Sequence, residues 1–525
     1  MSWTKETHLS AEDTPEALSS ARAGSTNQRP AVIIVGGGSA GAVLAARLSE
    51  DPSRRVLLVE AGSNFTPNTY PSSLTDAGIV GTPDFDWKYV SDDKQKLGHD
   101  ISTPRGKVIG GSSAVNGTVA IRARPSDFAR WTARGIQGWS FDEVLSTYKA
   151  LENTPTGDAH WHGRNGPLPI RKRLMDELSP SSRAFVEASR TNGLAAVEDF
   201  NSDAADGAGP YSLNVVDGVR MNTGIVYLTD EVRARPNLEI RPGTEVDRLV
   251  IEGKRIAGVR LVSGEVLSGG EVILSSGTFG SAAILIRSGI GPSAHLRELN
   301  IPVVVDLPVG ERLQDHPIYY HVYALKDEYK SMTPAAGALA WTGSKAAADG
   351  DLDLQISATH FFDGRNSPTG GAIVLASAVV LPHSVGSFRL SSKDPRAAPR
   401  IHYNFLDDPR DLDRMVDVVR LAEAIGESEP FAGMVAADIT PKVPNAEAQL
   451  REFLRANVQT YAHPTSTVPM GRDGDPSAVV DAWGKVRGVT GLHVVDASII
   501  PDVPSVPTNV TTIMIAERIS ARLRA

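Results

Sequence analysis

The 525-residue chain contains no cysteine. That excludes disulfides, thiolate nucleophiles, thiolate-bound zinc, iron–sulfur clusters and c-type haem attachment. Aromatic residues are scarce, at 6%. Long apolar runs are missing too. The longest, Ala372 to Leu381, is broken by Ser377 and is far shorter than the ~18 residues of a membrane span. Nor is there an excess of positive charge: 53 Lys and Arg face 62 Asp and Glu, a formal net charge of −9. Such a balance gives no electrostatic footprint for nucleic acid or anionic lipid. Residues 1–29 lack the apolar core and small-residue cleavage site of a signal peptide and carry acids at Glu6, Glu12, Asp13 and Glu16. They read as a polar flexible tail, and the default expectation is a cytoplasmic protein with no membrane span.

What is present is an ordinary globular composition, 41% apolar and 22% charged, with 48 Gly and 34 Pro punctuating many loops. At roughly 150 residues per domain the length suggests about three units, or two large interleaved ones. No internal repeat is evident. Val32-Ile33-Ile34-Val35 reads as a buried strand and runs directly into Gly36-Gly37-Gly38-Ser39-Ala40-Gly41. Val43, Leu44, Ala45 and Leu48 follow at helical spacing, and Val56 to Val59 reads as a second strand ending at Glu60. This is a βαβ unit of a parallel sheet. Further on, a strand pair is expected around Leu238–Arg260 with its turn near Gly253, then a buried run at Val272–Leu274 and a helix over Leu412–Ile425.

Gly36-x-Gly38-x-x-Gly41 in that setting is the dinucleotide fingerprint. The first glycine makes the tight turn, the second admits a pyrophosphate to the backbone, and the third lets the helix pack on the strand. The phosphates then meet the positive end of the helix dipole. Glu60, at the end of the second strand, can accept both ribose hydroxyls, which favours FAD or NAD over NADP. The same turn also reads Gly37-x-Ser39-x-Gly41, a nucleophile elbow, so a serine hydrolase is the alternative from another class. That reading lacks upstream strands for an oxyanion loop and leaves Glu60 unexplained. On their own, the glycines also fit a helix that merely packs on a strand. His160 and His162 alternate as a metal pair would, but the sequence shows no third ligand near them, so no metal is expected.

A second glycine-rich segment, Arg105-Gly106-Lys107-Val108-Ile109-Gly110-Gly111-Ser112-Ser113-Ala114-Val115-Asn116-Gly117, resembles the first signature of the glucose–methanol–choline (GMC) flavoprotein oxidoreductases. Gly277 to Ala282, running on to Ser288-Gly289-Ile290-Gly291-Pro292, resembles the second signature, with Ala282 at a usual proline and so a softer turn. Leu313-Gln314-Asp315-His316-Pro317, Ala462-His463-Pro464 and Val494-Val495-Asp496-Ala497-Ser498 also resemble family segments, as does Asn509 before a helix.

The resemblance implies an α/β chain, α+β overall. A Rossmann-like FAD-binding domain would be assembled from residues 30–160, 212–315 and 461–525. A substrate domain with an antiparallel sheet would come from 161–211 and 316–460. It implies FAD held by Gly36, Gly38, Ser39, Ala40, Gly41, Glu60 and Ala61, with Val246 at the adenine. Val108, Asn116, Gly117 and Thr118 would line the isoalloxazine, Asp496 and Ala497 would flank the ribityl chain, and Ala462 and Val510 would complete the cofactor site. His463 and Asn509 match the catalytic pair, a base for the alcohol proton and an amide that holds the alcohol oxygen. Without the resemblance, one histidine of 12 reads as structural and Asn509 as a helix cap.

The implied activity is oxidation of a small-molecule alcohol to an aldehyde or ketone, with oxygen or another electron acceptor and no nucleic-acid partner. A non-redox lyase with structural FAD is the family alternative; a photodecarboxylase lacks this histidine. Three departures from the pattern stand out. Val115 replaces the histidine that bonds covalently to flavin in some members, so the FAD is expected to be non-covalent. Val506-Pro507 and Thr511 replace the usual residues around Asn509. Ala462 replaces an aromatic before His463, which should enlarge the pocket unless Tyr461 fills it.

Overall fold

Val32–Val35 forms the central strand, β1, and all four residues are 4% exposed or less. With β2 (Val56–Val59), β3 (Leu238–Arg241), β4 (Glu271–Leu274) and β5 (Leu492–Val494) it builds a wholly parallel sheet in the order β3-β2-β1-β4-β5. Unbroken Val/Ile/Leu runs suit β1 and β2 because a parallel sheet is covered on both faces, so neither alternating face meets water. Each fully buried Val or Ile contributes roughly 1.5–3 kcal/mol. Residues 31–203, 205–348 and 350–525 are described by this computed structural model; the expected tail over 1–29 lies outside the described residues.

Helix α1 (Gly41–Leu48) leaves the carboxyl end of β1, and α3 (Thr508–Arg524) packs against it. Arg47 of α1 holds Glu517 of α3 through two bonds of 2.8 Å, and the Tyr227 hydroxyl donates to the same carboxylate at 2.8 Å. The two ends of the described chain are thereby fastened over the middle of the sheet. The turn between β1 and α1 sits where connections leave β1 toward opposite sides of the sheet, the usual place for a ligand crevice in an open α/β fold.

A second, antiparallel sheet carries seven strands: six in the order 435–438, 317–325, 372–379, 354–359, 338–342 and 207–210, and 459–460, which pairs with one end of 317–325. Helices Pro180–Thr191 and Pro409–Gly426 pack on this sheet. Tyr320, Ala376, Ser357 and Leu339 stand in register across four of its strands. The apolar Ala372–Leu381 stretch becomes its buried strand 372–379.

Two sequence expectations are corrected. Leu238–Arg241 is β3 of the parallel sheet, and the hairpin with Gly253 in its turn is Val246–Glu252 with Arg255–Leu261. The period-2 pattern runs across both segments, and only tertiary pairing separates them. Ala282 lies inside α2 (Gly277–Arg287), fully buried, not in a turn, so no turn is softened by the missing proline.

Candidate active site

The dinucleotide turn is built as its glycines require. Gly36 has φ +98°, and a Cβ there would stand 2.6 Å from the Ser275 carbonyl oxygen. A Cβ on Gly41 would lie 1.8 Å from the Gly36 oxygen, so only glycine lets α1 start this close to β1. At Gly38 an added Cβ meets only the Gly111 Cα, at 3.6 Å, which leaves the turn open. Ala40, the residue before α1, is buried.

Glu60, 6% exposed, accepts the Gly37 N–H at 2.7 Å with Oε2 and the Gly62 N–H at 2.7 Å with Oε1. Burial raises its pKa, and those two bonds oppose the rise. A carboxylate offers about four lone-pair sites, so two remain for a ligand's hydroxyls. The Thr244 N–H donates to the Glu60 carbonyl, which brings the segment leading to Val246 beside the acid and Ala61.

The second glycine-rich loop packs on this turn: the Gly110 N–H donates to Gly37 O at 2.8 Å. Val108 is buried in a small cluster with Tyr70, Leu74, Ala114 and Val115. Asn116 Oδ1 accepts the Thr118 N–H at 3.0 Å, and Thr118 has φ +62°. A Cβ on Gly117 would come within 3.2 Å of the Phe361 ring, so glycine keeps that passage clear. Asp496 is sequestered: its oxygens accept from Gly277 N, Ser281 Oγ and Ser498 N at 2.6–2.9 Å, tying the 496–498 turn to the start of α2. Ala497 follows in that turn, and Val510 is buried in the first turn of α3.

His463 stands at the end of a hydrogen-bonded chain. His316, fully buried, has Nε2 3.0 Å from the Pro504 carbonyl oxygen and Nδ1 3.0 Å from His463 Nδ1. A carbonyl only accepts, so His316 Nε2 carries the proton. Burial holds His316 down to about 3, so its ring is neutral and its Nδ1 is an acceptor. His463 Nδ1 must then donate, which leaves His463 Nε2 as a lone pair. Desolvation, and then His316 and Arg105, push His463 well below its ordinary value, so it too is neutral near pH 7.

The backbone around His463 is held in a strained form. Ala462 has φ +64°, a conformation that costs a non-glycine residue of order 1–3 kcal/mol. Its N–H donates to Thr460 Oγ1 at 2.8 Å, and its carbonyl accepts from Arg105 Nη2 at 2.6 Å. Asp315 accepts the backbone N–H groups of His463 and His316 at 2.9 and 2.7 Å and the Thr460 hydroxyl at 2.6 Å; burial raises its pKa to about 6. The Tyr461 ring lies against His463, its centroid 4.7 Å from that of the imidazole.

Asn509 is not hydrogen-bonded to His463. Its Oδ1 accepts the Ser39 hydroxyl at 2.8 Å, placing it against the dinucleotide turn, while its buried Nδ2 has no partner. Ser39 therefore gives its proton to an amide and not to a histidine, which leaves the nucleophile-elbow reading without its base. His162 is held between carboxylates: its Nδ1 lies 3.2 Å from Glu152 and its Nε2 2.8 Å from Asp199, brought from 10 and 37 residues away. Glu152 is also bridged by Arg122, at 3.3 Å.

Sequence reasoning gave no role to His316, Asp315 or Arg105. The signal was present, since Asp315-His316 lies in one family-like segment and Arg105 opens another, but only the fold brings them to His463. The residues present suit FAD: an unpartnered buried amide N–H at Asn509 and spare lone pairs on Glu60 are both held against the same open glycine turn.

Models of the GMC oxidoreductase family match residues 31–318 and 382–516. An oxygen-dependent choline dehydrogenase of Rhizobium etli is 34% identical over 93% of this chain and 94% of its own length. One of Vibrio vulnificus is 32% identical, covering 93% and 92%. The crystal structure of pyridoxine 4-oxidase from Mesorbium loti is 34% identical, covers 94% of this chain and 99% of its own, and superposes with a TM-score of 0.87.

Proposed function

The chain belongs to the GMC oxidoreductase family, and on that premise we propose that it oxidises a neutral primary alcohol borne on an aromatic or heteroaromatic ring, with His463 as the base. It is an FAD-dependent oxidoreductase acting on CH–OH groups. The observation that carries the mechanism is the Pro504–His316–His463 chain, which leaves the His463 Nε2 lone pair free.

In this reading Nε2 takes the alcohol proton. The imidazolium so formed keeps its Nδ1–H bond to His316, so no tautomer change is needed as the charge develops. Bound FAD, non-covalent because Val115 offers no nitrogen to bond, supplies the acceptor for the hydride leaving the α-carbon. Asp315 and Arg105 hold the strained Ala462–His463 backbone, so the ring is fixed before substrate arrives. Asn509, which accepts the Ser39 hydroxyl at the dinucleotide turn, keeps a free Nδ2–H for the cofactor.

Substrate class follows from the wall of the site. Tyr461 lies against His463, and burial raises its phenol, with a Ser357 hydrogen bond in partial opposition. The charge felt at His463 is that of Arg105, a cation, and Asp315 spends its oxygens on backbone and Thr460. The Arg105 charge opposes a quaternary ammonium such as choline near the base, while the Tyr461 ring offers a face on which a neutral ring can stack. The names of the relatives support oxygen as acceptor. No described helix is long and apolar enough to cross a membrane, and a cytoplasmic location belongs to the same proposal.

The test is an anaerobic screen in which pyridoxine, substituted benzyl alcohols and choline each meet the FAD-loaded protein. Bleaching by the ring alcohols, reversed on admitting air, is expected. Bleaching by choline alone overturns the substrate class. No bleaching by any alcohol returns the protein to the lyase alternative.

A further inference from the structure

Arg220 is fully buried, yet among the described residues no carboxylate is hydrogen-bonded to its guanidinium. All its bonds go to backbone carbonyls: Leu74 O at 2.6 Å, Ala114 O at 3.0 Å, Asn116 O at 3.0 Å, and Ile79 O. The acid that acts on it is Asp76, which is itself exposed. Burial lowers the guanidinium only to about 10, so it stays charged at neutral pH. A lone buried cation is costly, and a fold that only needed to satisfy four carbonyls could use neutral donors.

The peptide plane shows what this charge grips. Because Asn116 C=O points at Arg220, the Gly117 N–H of the same planar unit points the opposite way. Asn116 Oδ1 takes the next N–H, that of Thr118, so Gly117 N–H is left without a protein acceptor among the described residues. Two carbonyl dipoles of the 114–117 loop are drawn toward the cation, and one free N–H is turned to the loop's other side.

We propose that Arg220 is a positioning residue for the flavin: it aims the Gly117 N–H at the isoalloxazine and places a buried positive charge behind that loop, so that bound flavin accepts electrons more readily. The proposal rests on the reading that residues 108–118 face the isoalloxazine. A fixed charge in a poorly polarisable interior acts strongly over short range, and the reduced cofactor is the more negative form.

The FAD-loaded wild type, Arg220→Met, Arg220→Gln and Arg220→Lys proteins are each equilibrated anaerobically with a redox dye of known potential, and the flavin-to-dye ratio is read by absorbance. The neutral variants are expected to move the equilibrium constant at least tenfold toward oxidised flavin, and Arg220→Lys to recover most of that. Arg220→Gln keeps planar donors, so it supplies the neutral variant if Arg220→Met does not fold. Neutral variants that match the wild type overturn the proposal, as does an Arg220→Lys protein no different from Arg220→Gln. Gly117→Ala separates the two layers. If it shifts the flavin absorbance while the neutral Arg220 variants leave the equilibrium unmoved, Arg220 alone has the wrong role. If it leaves the flavin spectrum unchanged, the loop reading fails and the proposal fails with it.

Discussion

Replacing His316 by leucine removes the acceptor that fixes the tautomer of His463. The lost bond, 3.0 Å between the two Nδ1 atoms, has a net worth of about 0.5–1.5 kcal/mol, and an unpartnered Nδ1–H in a buried site costs about 1–3 kcal/mol. The ring can escape that cost by moving its proton to Nε2, where it can no longer accept one from an alcohol. At 1.36 kcal/mol per factor of ten, flavin reduction should slow by about ten- to a hundred-fold. Loss of His463 itself should cost about a hundred- to ten-thousand-fold. Glutamine offers one acceptor for His463 and an N–H for the Pro504 carbonyl, the same pattern as the neutral His316 ring. His316→Gln should therefore recover most of the rate. The assay is anaerobic rapid mixing with the best alcohol from the screen, followed by flavin absorbance, with FAD content measured beforehand. Because His463 titrates well below its ordinary value, the wild-type rate should be flat above about pH 6.5 and fall only in acid. Wild-type reduction in a fully loaded His316→Leu protein, or a glutamine variant as slow as the leucine one, refutes the tautomer argument.

Glu60→Ala strands the Gly37 and Gly62 N–H groups and removes the ribose acceptor; FAD affinity should fall about ten- to a hundred-fold by titration, and unchanged affinity contradicts the assignment. Asn509→Ala should weaken FAD binding by about three- to ten-fold while leaving reduction of the saturated enzyme within about twofold; a hundred-fold slower reduction at full occupancy would put Asn509 on the substrate instead. At His162, desolvation lowers the pKa but the Asp199 and Glu152 carboxylates outweigh it, so the folded value lies above the unfolded one. Its contribution to stability is then complete below about pH 6.5 and lost as pH rises through the folded value. Denaturant midpoints should show the wild type's advantage over His162→Gln shrinking as pH rises above about 6.5, and a constant gap rules the charge pairing out.

What the sequence determined by itself was whatever is coded locally. β1, the glycine turn, α1 and β2 follow from an apolar run, a turn in which Gly36 and Gly41 admit no Cβ, and a helical period, all within 30 residues. Glu60 was legible for the same reason, since it ends the strand that pairs with β1. The family-like segments pointed to FAD and to His463 before any contact was known.

Only the tertiary structure decided which distant residues act together. His316 and His463 are 147 residues apart, and the tautomer of the base depends on a carbonyl at Pro504 that no local pattern marks. Asn509 went to Ser39, 470 residues away, because α3 packs on α1. Arg220 carries no motif; its meaning lies in four carbonyls that loops from residues 74 to 116 turn toward it. Backbone conformation and short-range burial leave a signature in neighbouring residues. The direction of a proton or the field of a buried charge is set by atoms that only the folded chain brings within 3 Å.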